Sequence, residues 1–173
     1  MSSQQNPLRL NVGFIVHEDI GYTRDFNFDL PELRLPPDLD LAGVSGRLRL
    51  SRTQQGLVAE GRFSAHTPLE CARCLDPVDQ ALTTDFTELY AFDERSTDES
   101  DLILPATGII DFGPVLREYM FLAMPITPLC KPGCLGLCPT CGENRNNVDC
   151  GHTQESIDPR FESLKDFLKD EDE

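Results

Sequence analysis

Gly46-Arg-Leu-Arg-Leu-Ser-Arg52, followed by Thr53-Gln-Gln-Gly56 and then by Leu57-Val-Ala-Glu-Gly-Arg-Phe-Ser-Ala65, is the stretch on which the fold turns. The first run alternates with a period of two, which sets Leu48 and Leu50 on one side of a strand and Arg47 and Arg49 on the other. A short polar connection ending in glycine joins it to a second run of the same kind, and two such runs close into a hairpin. The chain is therefore expected to be built on antiparallel strands. Arg47 and Arg49 form a small basic face in an acidic protein, which reads either as a solvated sheet face or as a phosphate or carboxylate contact.

The pattern extends in both directions. Upstream, Leu8-Arg-Leu-Asn-Val-Gly-Phe-Ile-Val16 and Tyr22-Thr-Arg-Asp-Phe-Asn-Phe-Asp-Leu30 are rich in β-branched and aromatic residues and flank a turn, so they are expected to form a first hairpin. Leu33-Arg-Leu-Pro-Pro-Asp-Leu-Asp-Leu41 carries adjacent prolines, which interrupt a ladder and mark a connecting loop. Downstream, residues 81–92 alternate again, with Leu82, Thr84, Phe86 and Glu88 on one side and Thr83, Asp85, Thr87 and Leu89 on the other, so the alternation does not decide which side is buried. Residues 93–101 are a charged run expected to form a solvated loop, and Leu102-Ile-Leu104 a short strand. His17 and His66 read as ordinary strand or loop residues.

One helix is predicted. Asp111 can cap its first turn, Val115, Leu116, Tyr119, Met120 and Ala123 line one face, and Pro125 stops it, so a single amphipathic helix packs against the sheet, with Glu118 facing solvent. A second short helix is predicted from Pro159 with Phe161, Leu164 and Leu168 inward, and residues 170–173 form an acidic tail.

Between the two helices lies Cys130-Lys-Pro-Gly-Cys134-Leu-Gly-Leu-Cys138-Pro-Thr-Cys141-Gly-Glu-Asn-Arg-Asn-Asn-Val-Asp-Cys150-Gly-His152. Its Gly, Pro and Asn content makes turns and offers little to bury, so a bound metal is the expected organiser. Cys138-Pro-Thr-Cys141 is a knuckle that aims two sulfurs at one ion, half of a tetrahedral site. The other half can come from Cys130 and Cys134, from Cys150 and His152, or from the distant knuckle Cys71-Ala-Arg-Cys74, and sequence does not choose among them. A disulfide framework fits poorly with seven cysteines and no signal peptide. A redox dithiol at either knuckle is the sharper rival. Against it, the residues after Cys141 read as a turn and Pro77 argues against a helix at Cys71, so neither thiol gains an activating helix N-terminus. Structural Zn2+ is the expected cofactor.

Fifteen basic against 30 acidic residues give a net charge of -15. The acid is concentrated late: up to residue 83 there are 8 basic and 11 acidic residues, beyond it 7 and 19. Such a field repels phosphate backbones at long range and favours a basic protein partner over naked nucleic acid. No run approaches the roughly 18 apolar residues of a membrane span, and the first residues lack the pattern of a secretory signal, so a cytoplasmic protein without membrane or small-molecule substrate is expected. No Ser-His-Asp triad, phosphate loop or paired-carboxylate motif stands out.

Leu69-Glu-Cys71-Ala-Arg-Cys74-Leu75, a central acidic loop, a helix ending in proline, and Pro128-Leu-Cys130 with Cys134-Leu-Gly-Leu-Cys138-Pro-Thr-Cys141-Gly142 together resemble the YceD family, described as large ribosomal RNA subunit accumulation proteins. The resemblance runs from about Leu8 to about Leu168. It implies a cytoplasmic factor needed for accumulation of 23S ribosomal RNA, without established catalytic activity. Asn144-Arg-Asn146 and Cys150-Gly-His152 stand where family sequences often carry Asn-Leu-Asn and a closing Cys-x-Cys; histidine ligates zinc as well as cysteine does, so the site can survive the change. Some family members lack the C-terminal cysteines, which implies that metal stabilises this region without being the shared activity.

The expected architecture is α+β: an antiparallel sheet or partly open barrel in residues 1–124, with one packed helix near 112–124, and a cysteine-rich zinc segment with a short helix and acidic tail in residues 125–173. The expected function is non-enzymatic, a ribosome biogenesis factor for 23S rRNA and large-subunit assembly acting through a large-subunit ribosomal protein or a pre-ribosomal particle. Alternatives are a thiol-disulfide oxidoreductase using a Cys-x-x-Cys pair, and an acidic chaperone for a basic ribosomal protein.

Overall fold

In the computed structural model, which describes residues 6–93 and 102–152, four long strands carry the architecture: β2 (Thr23–Leu35), β3 (Leu39–Arg52), β4 (Gly56–Glu70) and β5 (Pro77–Ala91). They form one antiparallel sheet in chain order, and the outer strands β2 and β5 do not pair, so the sheet is open and not a barrel. A second, two-stranded sheet pairs β1 (Arg9–Asn11) with β6 (Ile109–Asp111). Helices α1 (Gly13–Val16) and α2 (Gly113–Leu122) follow β1 and β6. The expected α+β class with one packed helix is what the chain adopts.

The hairpin read from Gly46 to Ala65 is the β3–β4 pair, longer at both ends than the alternation suggested. Leu48 and Leu50 are fully buried, whereas Arg49 lies on the outer face and grips Asp25 with a two-pronged contact of 2.8 and 3.1 Å. The acceptor for this basic face is thus a carboxylate of the neighbouring strand. On β5 the choice of face is settled: Leu82, Thr84 and Phe86 point inward.

Packing on the inner face follows two cross-strand rows. One runs Phe28, Gly46, Phe63, Thr84, and the next Phe26, Leu48, Gly61, Phe86. Phe63 of β4 and Phe86 of β5 each lie across a glycine on the adjoining strand, and a Cβ at Gly61 would run into the Phe86 ring. The rings then connect laterally: Phe28 to Phe63 at 5.6 Å, Phe63 to Phe86 at 6.2 Å, and Phe86 to Tyr119 of α2 at 5.0 Å between centroids. Such aromatic contacts add about 0.5–1.5 kcal/mol each to what burial alone supplies. Tyr119 completes its own attachment by donating its hydroxyl to Glu88 at 2.7 Å.

Three expectations are corrected. Residues 8–16 are not one strand hairpinned to residues 22–30. Asn11 Oδ1 accepts the Gly13 N–H at 3.1 Å, and Gly108 O accepts the Val12 and Gly13 N–H groups, which ends β1 after three residues and starts α1. The partner of β1 is β6, and β2 pairs with β3 instead. Pro36 and Pro37, expected in a connecting loop, form the tip of the β2–β3 hairpin, where Leu35 pairs with Leu39 and no ladder donor is needed; their bond is cis. Leu102-Ile-Leu104 contributes a single bridge, Ile103 with Ala91, not a strand. Helix α2 begins two residues after Asp111, whose Oδ1 accepts the Gly113 N–H at 2.8 Å, and Glu118 is exposed as expected. The polar run beyond Asp93, the helix predicted from Pro159 and the acidic tail lie outside the described residues. Among the described residues, no helix is long and apolar enough to cross a membrane.

Candidate metal centres

The β4–β5 hairpin does not close with an ordinary tight turn. Its tip is Cys71-Ala-Arg-Cys74-Leu-Asp76, held by Cys71 N–H to Asp76 O at 2.9 Å and Leu75 N–H to Cys71 O at 3.0 Å. The Cys138-Pro-Thr-Cys141-Gly-Glu143 turn repeats both bonds: Cys138 N–H reaches Glu143 O at 2.8 Å, and Gly142 N–H reaches Cys138 O at 2.8 Å. The two Cys-x-x-Cys stretches are the same knuckle built twice. In each, backbone N–H groups two and three residues on point at the first sulfur, the arrangement that favours a thiolate.

Cys71 is accordingly pulled down to about 6, first by the Cys74 N–H, with those of Arg73 and Cys130 adding to it and burial opposing. Cys138 also falls to about 6, through the N–H groups of Cys141 and then Thr140, again against burial. Both thiols are thus prepared as anionic donors near neutral pH.

The chain after α2 is drawn back to the hairpin tip. Ala72 N–H donates to Pro128 O at 2.8 Å, Arg73 Nη1 donates to Cys134 O at 2.9 Å, and Leu137 N–H donates to Arg73 O at 3.0 Å. Gly136 allows this close approach: its φ is +73°, and a Cβ there would lie 3.1 Å from Arg73 O. The result is two clusters in which all four ligand-type atoms lie within 4.8 Å of one another, Cys71, Cys74, Cys130 and Cys134 in one and Cys138, Cys141, Cys150 and His152 in the other. Of the pairings open to the Cys138 knuckle, geometry groups it with Cys150 and His152 and gives Cys71 and Cys74 to Cys130 and Cys134.

Tetrahedral coordination at a metal–sulfur distance of about 2.3 Å separates the sulfurs by about 3.8 Å. Cys71 and Cys134 sulfurs stand 3.8 Å apart, those of Cys74 and Cys130 3.5 Å, and Cys138 Sγ lies 3.7 Å from His152 Nδ1. Donor type and spacing therefore both fit a metal ion, and both clusters could hold one. Cys71, Cys74 and Cys134 are buried with Val78, Leu129 and Leu137 around them, while Cys141 and His152 are exposed.

Sequence reasoning singled out all eight ligand-type residues but missed their surroundings. Asn146 Nδ2 donates to Cys134 Sγ at 3.3 Å, Asn144 Nδ2 donates to Asp76 Oδ2 at 2.9 Å, and that oxygen lies 3.3 Å from Cys74 Sγ. Against the pull of burial, the Asn146 amide and the Gly136 N–H hold the Cys134 thiol below its ordinary value. The Asn-x-Asn spacing inside a turn-rich segment was the available signal.

An open antiparallel sheet with one docked helix, tied at a hairpin tip to a segment carrying two four-ligand clusters, defines a small α+β protein with two candidate metal centres. The chain belongs to the YceD family: the family model described as "Large ribosomal RNA subunit accumulation protein YceD" matches residues 59–168, a span that contains every residue of both clusters. It is similar to uncharacterized proteins of Mycobacterium tuberculosis and Mycobacterium bovis, each 35% identical over 125 residues, covering 70% of this chain and 60% of the relative. A Mycobacterium leprae protein, also uncharacterized, is 29% identical over 131 residues, covering 73% and 60%. The matched region thus spans about three-fifths of these relatives' length. No solved structure matches the chain.

Proposed function

We propose that this protein is a non-enzymatic cytoplasmic factor supporting accumulation of 23S rRNA and assembly of the large ribosomal subunit, with Zn2+ held structurally in both centres. The family match over residues 59–168 carries the reading, because it takes in both knuckles and the hairpin that joins them to the sheet. A net charge of -15 supports contact with a basic large-subunit ribosomal protein or a pre-ribosomal particle over contact with bare RNA. In this reading residues 1–124 supply the docking sheet and residues 125–173 the metal-shaped segment.

Depleting the protein should lower mature 23S rRNA and large subunits in a sucrose gradient, and tagged protein should retain ribosomal proteins after nuclease treatment. Tight binding of naked 23S RNA at physiological salt, with indifference to ribosomal proteins, would overturn the proposed route. The thiolates at Cys71 and Cys138 are also what an oxidoreductase needs, but both cysteines are buried, Cys71 fully. Insulin reduction that persists in zinc-loaded protein would favour the enzyme.

A further inference from the structure

Residues 143–147 lie in sequence between two members of the histidine-containing cluster, Cys141 and Cys150, yet the side chains of Asn144 and Asn146 serve the four-cysteine cluster. Asn146 spans the gap with both ends of its amide: Nδ2 donates to Cys134 Sγ at 3.3 Å, and Oδ1 accepts the Leu135 N–H at 3.0 Å. The same Nδ2 lies 2.8 Å from Asn144 Oδ1, so Asn144 orients Asn146 while its own Nδ2 holds Asp76 beside Cys74. One loop therefore touches Cys134 directly and Cys74 through Asp76, one sulfur on each half of the four-cysteine cluster. The loop is anchored where the second knuckle closes, by Cys138 N–H to Glu143 O and by Arg145 N–H to Gly136 O at 2.9 Å.

We infer that Asn146 is a positioning residue for the four-cysteine centre and that the two centres load with positive coupling. This rests on both clusters binding metal. An ion held by Cys138, Cys141, Cys150 and His152 fixes both ends of the 143–147 loop, and the fixed loop presents Asn146 to Cys134. Four thiolates around a divalent ion leave surplus negative charge in a mostly buried site, so an N–H donor to sulfur is worth most there. By linkage the dependence is reciprocal: an ion in the four-cysteine centre holds the loop for the other.

The test uses the full chain loaded with Co2+, whose visible absorption distinguishes four sulfur ligands from three sulfurs and an imidazole, with chelator competition giving the affinity of each centre. Asn146→Ala should weaken the four-sulfur centre about tenfold or more and, by the same linkage, take from the other centre the affinity it gains once the first is loaded, while leaving it within about twofold when the first is empty. Asn146→Asp keeps the acceptor for Leu135 but removes the donor, so it should weaken the same centre at least as much and move its sulfur-to-cobalt charge-transfer band to longer wavelength. Cys150→Ala, which unmakes the second centre, should weaken the first by a similar factor, and adding Asn146→Ala should change little more, since both act through one loop. Unchanged four-sulfur affinity in Asn146→Asp, which does not depend on the other variants folding, overturns the role of Asn146. Fully additive losses in the double variant overturn the coupling. In either case two ions per wild-type chain would leave the metal reading standing, whereas a wild-type chain that binds no ion would end both.

Discussion

Leu75 and Gly142 hold the same left-handed backbone position, each one residue past the second cysteine of its knuckle, with φ of +62° and +77°. That region is nearly free for glycine and costs other residues about 1–2 kcal/mol. Leu75 has no compensating burial, since it is 59% exposed.

Exchanging the two should therefore be asymmetric. Gly142→Ala is expected to lose about 1 kcal/mol, whereas Leu75→Gly should be neutral or slightly stabilising, the relieved strain offset by about 0.4–1 kcal/mol of added freedom in the unfolded chain. Denaturant midpoints at fixed metal concentration measure both. A loss above 1 kcal/mol in Leu75→Gly would mean that the leucine side chain is held by contacts strong enough to outweigh its backbone.

Ligand grouping can be read by counting ions. At saturating zinc, elemental analysis should find two per wild-type chain, one in Cys74→Ser and one in Cys141→Ser, with the lost ion coming from a different centre in each. If Cys74→Ser emptied the histidine-containing centre, marked by its cobalt spectrum, the grouping would be wrong.

In metal-free protein, Cys71 and Cys138 titrate at about 6 when folded, against an ordinary 9.0. Because the folded values are the lower ones, the contribution to stability is complete above pH 9 and is lost as pH falls through 6. Denaturation in chelator should show stability falling from pH 9 to pH 6, and the slope should flatten when both residues are serine. A slope of the opposite sign would show that burial outweighs the N–H donors.

The glycine rows under the aromatic rings predict a packing defect. Gly61→Ala pushes a methyl into the Phe86 ring, and overpacking of this kind costs about 1–3 kcal/mol. Phe86→Leu, destabilising alone, should lose less when combined with Gly61→Ala than the two losses added together. Strict additivity in thermal denaturation would show that the ring moves aside without resistance.

What could be read from the chain beforehand was what depends on neighbours in sequence. Alternation around Leu48 and Leu50 and the apolar spacing from Val115 to Met120 each belong to one element, so strand and helix were visible. The pairing of residues 8–16 was not, because it is decided by the distant carbonyl of Gly108. Prolines 36 and 37 misled for a related reason: they interrupt a ladder, and a hairpin tip is where interruption does no harm. All eight ligand-type residues were visible as chemistry. Their division into two groups was not, since it depends on where the β4–β5 hairpin places its tip. Asn146 carries no ligand chemistry of its own, and only the fold sets it against a sulfur.

Cys74 and Cys130 are 56 positions apart, and the last strand of the large sheet, β6 and α2 all lie between them. An ion held by all four sulfurs would close a loop containing those parts, so metal binding and the docking of the segment onto the sheet would be coupled. Where the proposed ions are scarce, that fastening would be missing, a shortfall of finished copies that gene expression alone would not reveal.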